Sequence, residues 1–547
     1  MYPRRSARLW GLLSLGVIAV AALGADERAT DFHEPIPLFR TSDRCVACHN
    51  GLTTQSGEDI SIGLDWRASI MANSARDPYW QASVRRETLD HPESKAKIED
   101  ECASCHMPMA RYQAKSEGRK GVVFEHLRAS AQTAATHEAL DGVSCSLCHQ
   151  LSPERLGEPA TFSGQFIIAS PPEGELRAEL GPFDIDEGLE RIMRSSSGGF
   201  RPTRADHIRK SELCASCHTL HTTALGAGGS EIGSLPEQTP YQEWQHSAYA
   251  NERSCQSCHM PVVAEPVAIS RVLGEPRSGM SRHVFVGGNF FMQRMLGTYR
   301  DELGVPALPA ELTAAAQRTV EHLQSSAARV TFGNVAFGRG KLDASVHVQN
   351  LSGHKLPTAY PSRRVWLHVL VTDAHGTKLF ESGALTADGA IEGNDNDADA
   401  AKFEPHYRTI SRTDQVQIFE SVLSDSSGRV TTGLLNATGY LKDNRLLPRG
   451  FDKRTADAQV AVHGDALDDP AFDDAGSTVT YAIAVPGATS PLTVRAELLY
   501  QPIGYRWARN LAPYDAAEPK RFVAYFDSMK SGSAVLLAAA EATVRPE

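Results

Sequence analysis

The sequence predicts an α+β protein with a mostly helical or irregular first part and an antiparallel β-sandwich after it. All ten cysteines lie before residue 260, in closely spaced motifs that need only short helices around them. After about residue 328, apolar residues recur at every second position, as in half-buried strands. The predicted parts are a leader over 1–25, a cysteine-rich domain over 26–300, a linker helix over 301–328 and a sandwich domain over 329–547.

The N-terminus has the pattern of a secretory signal peptide. Three arginines precede residue 9, an apolar run follows over 9–23, and small residues at Gly24 and Ala25 suit cleavage. The apolar run is short for a membrane span, so we expect export without stable membrane insertion.

The cysteines form five copies of one motif, and none is left over. The copies are CVACH (Cys45, Cys48, His49), CASCH (Cys102, Cys105, His106), CSLCH (Cys145, Cys148, His149), CASCH (Cys214, Cys217, His218) and CQSCH (Cys255, Cys258, His259). C-x-x-C-H is the attachment site of c-type haem. The two thiols bind one porphyrin covalently, and the adjacent histidine binds its iron from one face. We therefore expect five covalent haems c in a multihaem cytochrome c domain.

Three other cysteine chemistries fit the pattern less well. Disulfides suit an exported protein but do not require a histidine after every second cysteine. Zinc sites combine C-x-x-C with a second pair or with spaced histidines. Iron–sulfur clusters would leave the histidines unexplained.

Each iron has a second axial position, and the sequence offers several residues for it. A histidine there favours low-potential electron transfer, a methionine raises the potential, and an open position admits substrate. His137 and His207 stand shortly before motifs, in HEALDGVSCSLCH and HIRKSELCASCH. His283 lies in an apolar stretch beside two glycines. These three are predicted second ligands, with His221 and His246 in reserve.

A short internal sequence repeat adds a fourth candidate for a second iron ligand. WRASIMAN (66–73) and WQHSAYAN (244–251) share Trp, Ser, Ala and Asn, and Met71 takes the place of Tyr249. Met71 is a candidate thioether ligand if that position faces a haem, while Tyr249 would mark an open iron. The alternative is that both side chains simply pack.

The net charge narrows the class of partner. The chain carries −11, which becomes −14 once the leader and its three arginines are removed. This balance argues against nucleic acid or an anionic membrane surface. It suits a basic redox partner protein.

With these residues in view, the region over about 40–300 resembles the multihaem cytochrome family typified by cytochrome c-554. The resemblance rests on WRASIMANSARDPYW, CASCHMPM, DGVSCSLCHQ, LCASCHTL, PEQTPYQEWQHSAYA and CQSCHMP. It implies electron transfer through closely stacked haems in the periplasm of a Gram-negative bacterium. Some relatives are reductases or oxidases that carry C-x-x-C-K or a tyrosine cross-link at the catalytic haem. This chain has no C-x-x-C-K.

The second half predicts one helix and then strands. LPAELTAAAQRTVEHLQSSAARV (308–330) is rich in helix-forming residues. VWLHVLV (365–371), TVTYAIAV (478–485) and LTVRAELLY (492–500) alternate as strands do. No known catalytic motif stands among them.

One loop of the second half carries a further ligand candidate. In LSGHKLPTAYPSRR (351–364), Gly353 and Pro357 favour a defined loop shape around His354. We expect His354 to reach the haem region as a second ligand, with Arg363 and Arg364 able to pair with haem propionates.

The sequence thus favours an electron-transfer protein and predicts no catalytic residue. The alternative is an oxidoreductase that acts on a small inorganic nitrogen or sulfur compound at one open haem. A third hypothesis is a subunit whose sandwich binds a partner.

Overall fold

The computed structural model describes residues 37–128, 132–171 and 175–546. The predicted leader over 1–25 and its expected cleavage lie outside these ranges. Within them, no helix is both long and apolar enough to cross a bilayer.

Short helices and loops make up most of the cysteine-rich part. The helices are α1 (Asp43–Val46), α2 (Ile62–Arg67), α3 (Pro78–Asp90), α4 (Lys95–His106), α5 (Pro108–Ser116), α6 (Ala134–Leu140), α7 (Cys145–Cys148), α8 (Glu187–Ser196), α9 (Ser211–Ala215), α10 (Pro240–Gln245), α11 (Cys255–His259), α12 (Phe290–Thr298) and α13 (Arg300–Leu303). Three small two-stranded sheets lie between them, formed by β1 (Ala178–Gly181) with β2 (Arg201–Arg204), β3 (Leu220–Leu225) with β4 (Glu231–Gln238), and β5 (Val267–Ala268) with β6 (Pro276–Arg277).

The predicted helix over 308–330 is observed as α14 (Pro309–Ser326). It ends earlier than expected because Val330, Thr331 and Phe332 are β-branched or aromatic and pair with the next strand. The apolar face of α14 is buried through Leu312, Ala315, Val320 and Leu323.

Strands dominate the second half. They are β7 (Ala328–Gly338), β8 (Lys341–Asn350), β9 (Arg364–Thr372), β10 (Lys378–Ser382), β11 (Thr409–Ile410), β12 (Ile418–Phe419), β13 (Ser421–Asp425), β14 (Val430–Thr431), β15 (Ala437–Asp443), β16 (Phe472–Asp473), β17 (Gly476–Ala484), β18 (Leu492–Gln501) and β19 (Val535–Val544). The remaining helices are α15 (Asp395–Ala398), α16 (Tyr505–Arg509) and α17 (Ala517–Met529).

Two five-stranded sheets carry most of these strands. One has the order β11-β17-β8-β7 with β16 also on β17, and the other has β10-β9-β18-β19 with β12 also on β9. All pairs in them are antiparallel except β11 with β17. In β9, Val365, Leu367, Val369 and Val371 are fully buried as predicted, but Trp366 between them is fully buried too, so the alternation holds only from Leu367 onward. The fold is therefore α+β with antiparallel sheets, as the sequence predicts.

One hydrophobic core joins the two halves of the chain. It contains residues of both five-stranded sheets, such as Val346 and Leu498, together with Phe291 of α12 and Ala82 of α3. Tyr79 of α3 packs on Phe522 of α17 with ring centres 4.9 Å apart. The cysteine-rich part is thus held directly against the sheets.

Candidate functional site

Each C-x-x-C-H motif lies in a helical turn, which explains its spacing. Residues three and four positions apart lie on one face of a helix, so both thiols and the imidazole point the same way. The turn is closed by backbone hydrogen bonds from the histidine to the first cysteine, as in His49 N to Cys45 O (3.1 Å), His149 N to Cys145 O (3.0 Å) and His218 N to Cys214 O (2.9 Å).

All five motifs line one cavity. Every one of the ten cysteines and five motif histidines faces it, and its volume is about 1110 Å³. That exceeds the roughly 300–1,000 Å³ of an ordinary small-molecule pocket. All ten cysteines are free thiols. Across the described ranges, no group of three or more His, Cys, Asp or Glu side chains is placed to hold a metal ion on its own.

The motif histidines are oriented as metal ligands are. Nδ1 of four of them lies against a backbone carbonyl, at Ile269 for His49 (2.6 Å), Ser74 for His106 (3.0 Å), Leu180 for His149 (2.5 Å) and Val286 for His259 (2.6 Å). Such a bond places the proton on Nδ1 and leaves the Nε2 lone pair for a metal. Burial lowers the pKa of His106 and His218 to about 4, so both rings are neutral near pH 7.

Two motif histidines face a second imidazole at the separation that one ion would set. An ion bonded to an imidazole nitrogen on each side, at about 2 Å, holds the ring centres roughly 6 Å apart. His149 and His283 have centres 6.3 Å apart and planes 18° apart, and for His259 and His354 the values are 6.2 Å and 9°.

His283 and His354 have the same two features as the motif histidines, an Nδ1 atom held by a backbone carbonyl and a lowered pKa. Nδ1 of His283 lies 3.1 Å from Ser281 O, and Nδ1 of His354 lies 2.9 Å from Lys355 O. Burial lowers their pKa to about 3 and about 4 respectively. The β8–β9 loop therefore brings His354 to the cavity, beside His259.

The described fold matches that of a solved multihaem protein. The crystal structure of a penta-heme cytochrome c552 from Thermochromatium tepidum aligns with a TM-score of 0.52 and 17% identity, over 93% of this chain and 99% of that one. The two chains share a fold. No protein-family model and no curated protein matched the sequence. The structural match supports a multihaem cytochrome fold and does not single out the cytochrome c-554 family.

The residues present fit five c-type haems. The motifs supply ten reduced thiols and five neutral imidazoles at the wall of a shared cavity. A haem at each motif would be held by its two cysteines and by Nε2 of its histidine.

Sequence reasoning missed one histidine near this site. His322, on α14, has its ring centre 6.2 Å from that of His259, with the planes 55° apart. Its Nδ1 contacts Ser326 Oγ at 3.2 Å. His322 lies after the last motif in sequence, and its position on a helix rich in alanine and leucine was the signal that could have found it. His354 is the better partner of His259, because the two rings are nearly parallel and its Nδ1 bonds a carbonyl.

Of the other predicted ligands, His221 lines the cavity, whereas His137, His207 and His246 do not. His137 is exposed on α6, and its side chain does not line the cavity. His207 also lies outside the lining, with Nε2 against Leu151 O at 2.8 Å, so the nitrogen that would bind iron is already used. His246 contacts Gln242 O through Nδ1. Proximity in sequence to a motif did not predict a place at the cavity, because His137 faces solvent and His207 is held against Leu151 O.

The echoed pair Met71 and Tyr249 both line the cavity. Tyr249 donates a hydrogen bond to Leu351 O at 3.2 Å, and Arg449 covers its ring. Tyr249 therefore packs against the His354 loop, where it supports that loop. Met71 keeps its place as a candidate ligand.

The two arginines after His354 lie in different surroundings. Arg363 lines the cavity. Arg364 bonds Asp397 at 2.8 Å and Gln501 at 2.8 Å in the interior of the β region, so it has no free group for a propionate. Of the two, only Arg363 remains a candidate to pair with a haem propionate.

Contacts between thiols give the order of the motifs in space. A hydrogen bond from Cys145 lowers the pKa of Cys45, and one from Cys214 lowers that of Cys255 to about 7. A hydrogen bond from Cys217 likewise lowers the pKa of Cys105.

Cys148 of the third motif also lies close enough to Cys214 and Cys217 to add to the raised pKa of each, after their thiol hydrogen bonds and burial. The first motif thus adjoins the third, the third adjoins the fourth, and the fourth adjoins the second and the fifth.

The second motif has distinctive surroundings. Trp80 stacks on His106 with ring centres 4.3 Å apart and planes 3° apart. Burial raises the pKa of Glu237 to about 7, and that of Glu87 is raised for the same reason. Both carboxylates act on Tyr360, whose pKa burial raises well above its ordinary value. Protonatable groups therefore gather beside this motif.

Proposed function

We propose that this chain is an exported, periplasmic c-type cytochrome that carries electrons through five covalently bound haems. The observation that carries the proposal is the convergence of all ten cysteines and five motif histidines on one cavity. Bound haem supplies one-electron redox chemistry, and two imidazoles on one iron favour a low potential. The charge of −14 after leader removal favours a basic protein as redox partner over nucleic acid.

We assign the second axial ligands on geometry. His283 would bind the third haem together with His149, and His354 would bind the fifth haem together with His259. Met71 lines the same cavity and is a further candidate second ligand, with no haem assigned to it. The haem region over 26–300, the linker helix over 301–328 and a sandwich over 329–547 would then act together, because the last part completes a site in the first.

The order of the motifs supports a branched electron path. Electrons would pass between the first and third sites to the fourth, which connects to the second and the fifth. Replacement of Cys214 and Cys217 by Ser should remove the central haem and split the path.

Stopped-flow reduction by dithionite tests this order. The wild type should be reduced in one main phase, and the fourth-motif variant in separate phases. The matched control replaces Cys102 and Cys105 by Ser at the end of a branch and should keep one phase. A single phase at the wild-type rate in the fourth-motif variant would overturn the path.

A second candidate function has its own observation. The nearness of Glu87 and Glu237 to Cys102, and their effect on Tyr360, favour an oxidoreductase with an open haem at the second motif. A small inorganic nitrogen or sulfur compound would be its substrate. A carboxyl that titrates near pH 7 is suited to proton transfer. In this proposal the open haem would be held by the second motif and would not be the one beside Tyr249.

Electron paramagnetic resonance decides between the two functions. A high-spin signal that shifts when nitrite or hydroxylamine is added, and that is lost in His106→Ala, supports the oxidoreductase. Wholly low-spin spectra that small ligands leave unchanged support electron transfer alone.

A further inference from the structure

Two acid–tryptophan pairs recur in the chain, Asp65–Trp66 and Glu243–Trp244. Each pair lies in the last turn of a short helix, α2 or α10. Its tryptophan is the first residue of one of the two similar stretches that contain Met71 and Tyr249. The second residue of each pair contacts one motif, and the first contacts the segment that carries that motif's partner histidine.

The tryptophans hold the starts of two motifs. Trp66 Nε1 donates to Val143 O at 3.0 Å, and Trp244 Nε1 donates to Arg253 O at 2.9 Å. Each acceptor lies two residues before the first cysteine of a motif, the third for Val143 and the fifth for Arg253. Because the indole N–H can only donate, the backbone carbonyl must be the acceptor in both bonds. Both tryptophans therefore hold the backbone at the same position relative to a motif.

The acids hold the segments with the partner histidines. Asp65 accepts two hydrogen bonds from Arg282, at 2.9 and 3.1 Å, and Arg282 is the neighbour of His283. Glu243 Oε2 accepts the backbone N–H of Lys355 at 3.1 Å, and Lys355 is the neighbour of His354. The side chains of Asp65 and Glu243 are 6% and 0% exposed, so these bonds are shielded from water.

Buried charges reinforce the contact of Glu243. Its Oε1 accepts from Arg445 at 2.8 Å, and Arg445 bonds Asp443 at 2.7 Å. Lys355 Nζ bonds the same Asp443 at 2.8 Å and is itself fully buried. Loss of one member would leave a buried charge without its partner, which is costly. The loop of His354 is therefore fixed on both sides.

We propose that each acid–tryptophan pair sets the separation of the two axial imidazoles of one haem. Asp65–Trp66 would position His149 against His283, and Glu243–Trp244 would position His259 against His354. The nearly equal ring separations of 6.3 and 6.2 Å agree with one device used twice. The inference rests on the proposed axial role of these histidines. The four residues are positioning residues, since they touch the ligand-bearing segments.

The test uses the full-length holoprotein and two readouts, the low-spin electron paramagnetic resonance signals and carbon monoxide binding to the reduced protein. His283→Ala and His354→Ala first identify the signals of the third and fifth haems. Asp65→Ala should then alter only the signal lost in His283→Ala, and Glu243→Ala only the signal lost in His354→Ala. Each variant is the matched control of the other.

Carbon monoxide affinity should rise about tenfold at the affected haem, since loss of a residue that orients a ligand typically costs 10–100-fold in metal affinity. Trp66→Phe and Trp244→Phe, which keep an apolar ring and lose the N–H, should act at the same haems if the alanine variants do not fold.

Two results distinguish a failure of the axial assignment from a failure of the proposed role of the acid–tryptophan pairs. If His283→Ala and His354→Ala leave every haem low-spin, the axial assignment is wrong. If they convert one haem each, while the acid and tryptophan variants leave signals and carbon monoxide affinity unchanged or alter both haems alike, the pairing device is overturned and the ligands stand.

Discussion

At the scale of single residues, the site depends on which nitrogen of each imidazole is free. Backbone carbonyls take Nδ1 in His49, His106, His149 and His259, and burial keeps the rings neutral. The C-x-x-C-H spacing predicted these histidines, because both thiols and the ring must share a helix face. It could not predict the carbonyls, which come from distant segments.

His354→Ala should convert one haem from low spin to high spin, because its ring is the near-parallel partner of His259. His322→Ala is the matched control, since His322 lies equally near His259 but at a tilt of 55°. Optical and electron paramagnetic resonance spectra give the answer. Conversion by His322→Ala alone would make His322 the ligand.

Glu237 should make stability fall as pH rises. Burial raises its pKa to about 7, above its ordinary value, so the folded protein holds this proton more tightly than the unfolded chain does. Its contribution to stability is full below the unfolded pKa and is lost as pH rises through the folded pKa, at a cost of about 3 kcal/mol. Unfolding midpoints from pH 4 to 8 should decline more in the wild type than in Glu237→Gln. Parallel declines would contradict this.

At the scale of elements, local sequence rules predicted the strands and α14 well. β17 and β18 follow their predicted alternation, and β9 follows it from Leu367 onward. Helix α14 ends earlier than predicted, where strand pairing includes the β-branched residues. The partner histidines were less predictable. His283 and His354 arrive through long-range contacts, whereas His137 and His207 stand near motifs in sequence and turn away.

Helix α3 offers a test of an element. Asp77 caps it by accepting from Tyr79 N at 2.8 Å and Trp80 N at 3.1 Å, and the helix presents Trp80 to His106. Asp77→Ala should lower the free energy of unfolding by about 1 kcal/mol. Asp77→Ser, which keeps a capping oxygen, should recover most of it in chemical denaturation. Equal loss in both variants would argue against the cap.

At the scale of the whole molecule, one core joins the cysteine-rich part to the sheets. Contacts such as Arg85 to Glu518 at 2.8 Å and Glu243 to Arg445 at 2.8 Å cross between them. The sequence predicted two parts in series with a linker helix. It could not show that α14 packs into the shared core, because an apolar helix face does not indicate which other elements it will pack against.

The haem content of the purified holoprotein tests the central claim most directly. Pyridine haemochrome absorbance, set against protein concentration from amino-acid analysis, should give five covalently bound haems per chain, because all five motifs line the cavity. A value near zero would contradict a multihaem cytochrome, and a value clearly below five in fully matured protein would contradict the equivalence of the five motifs.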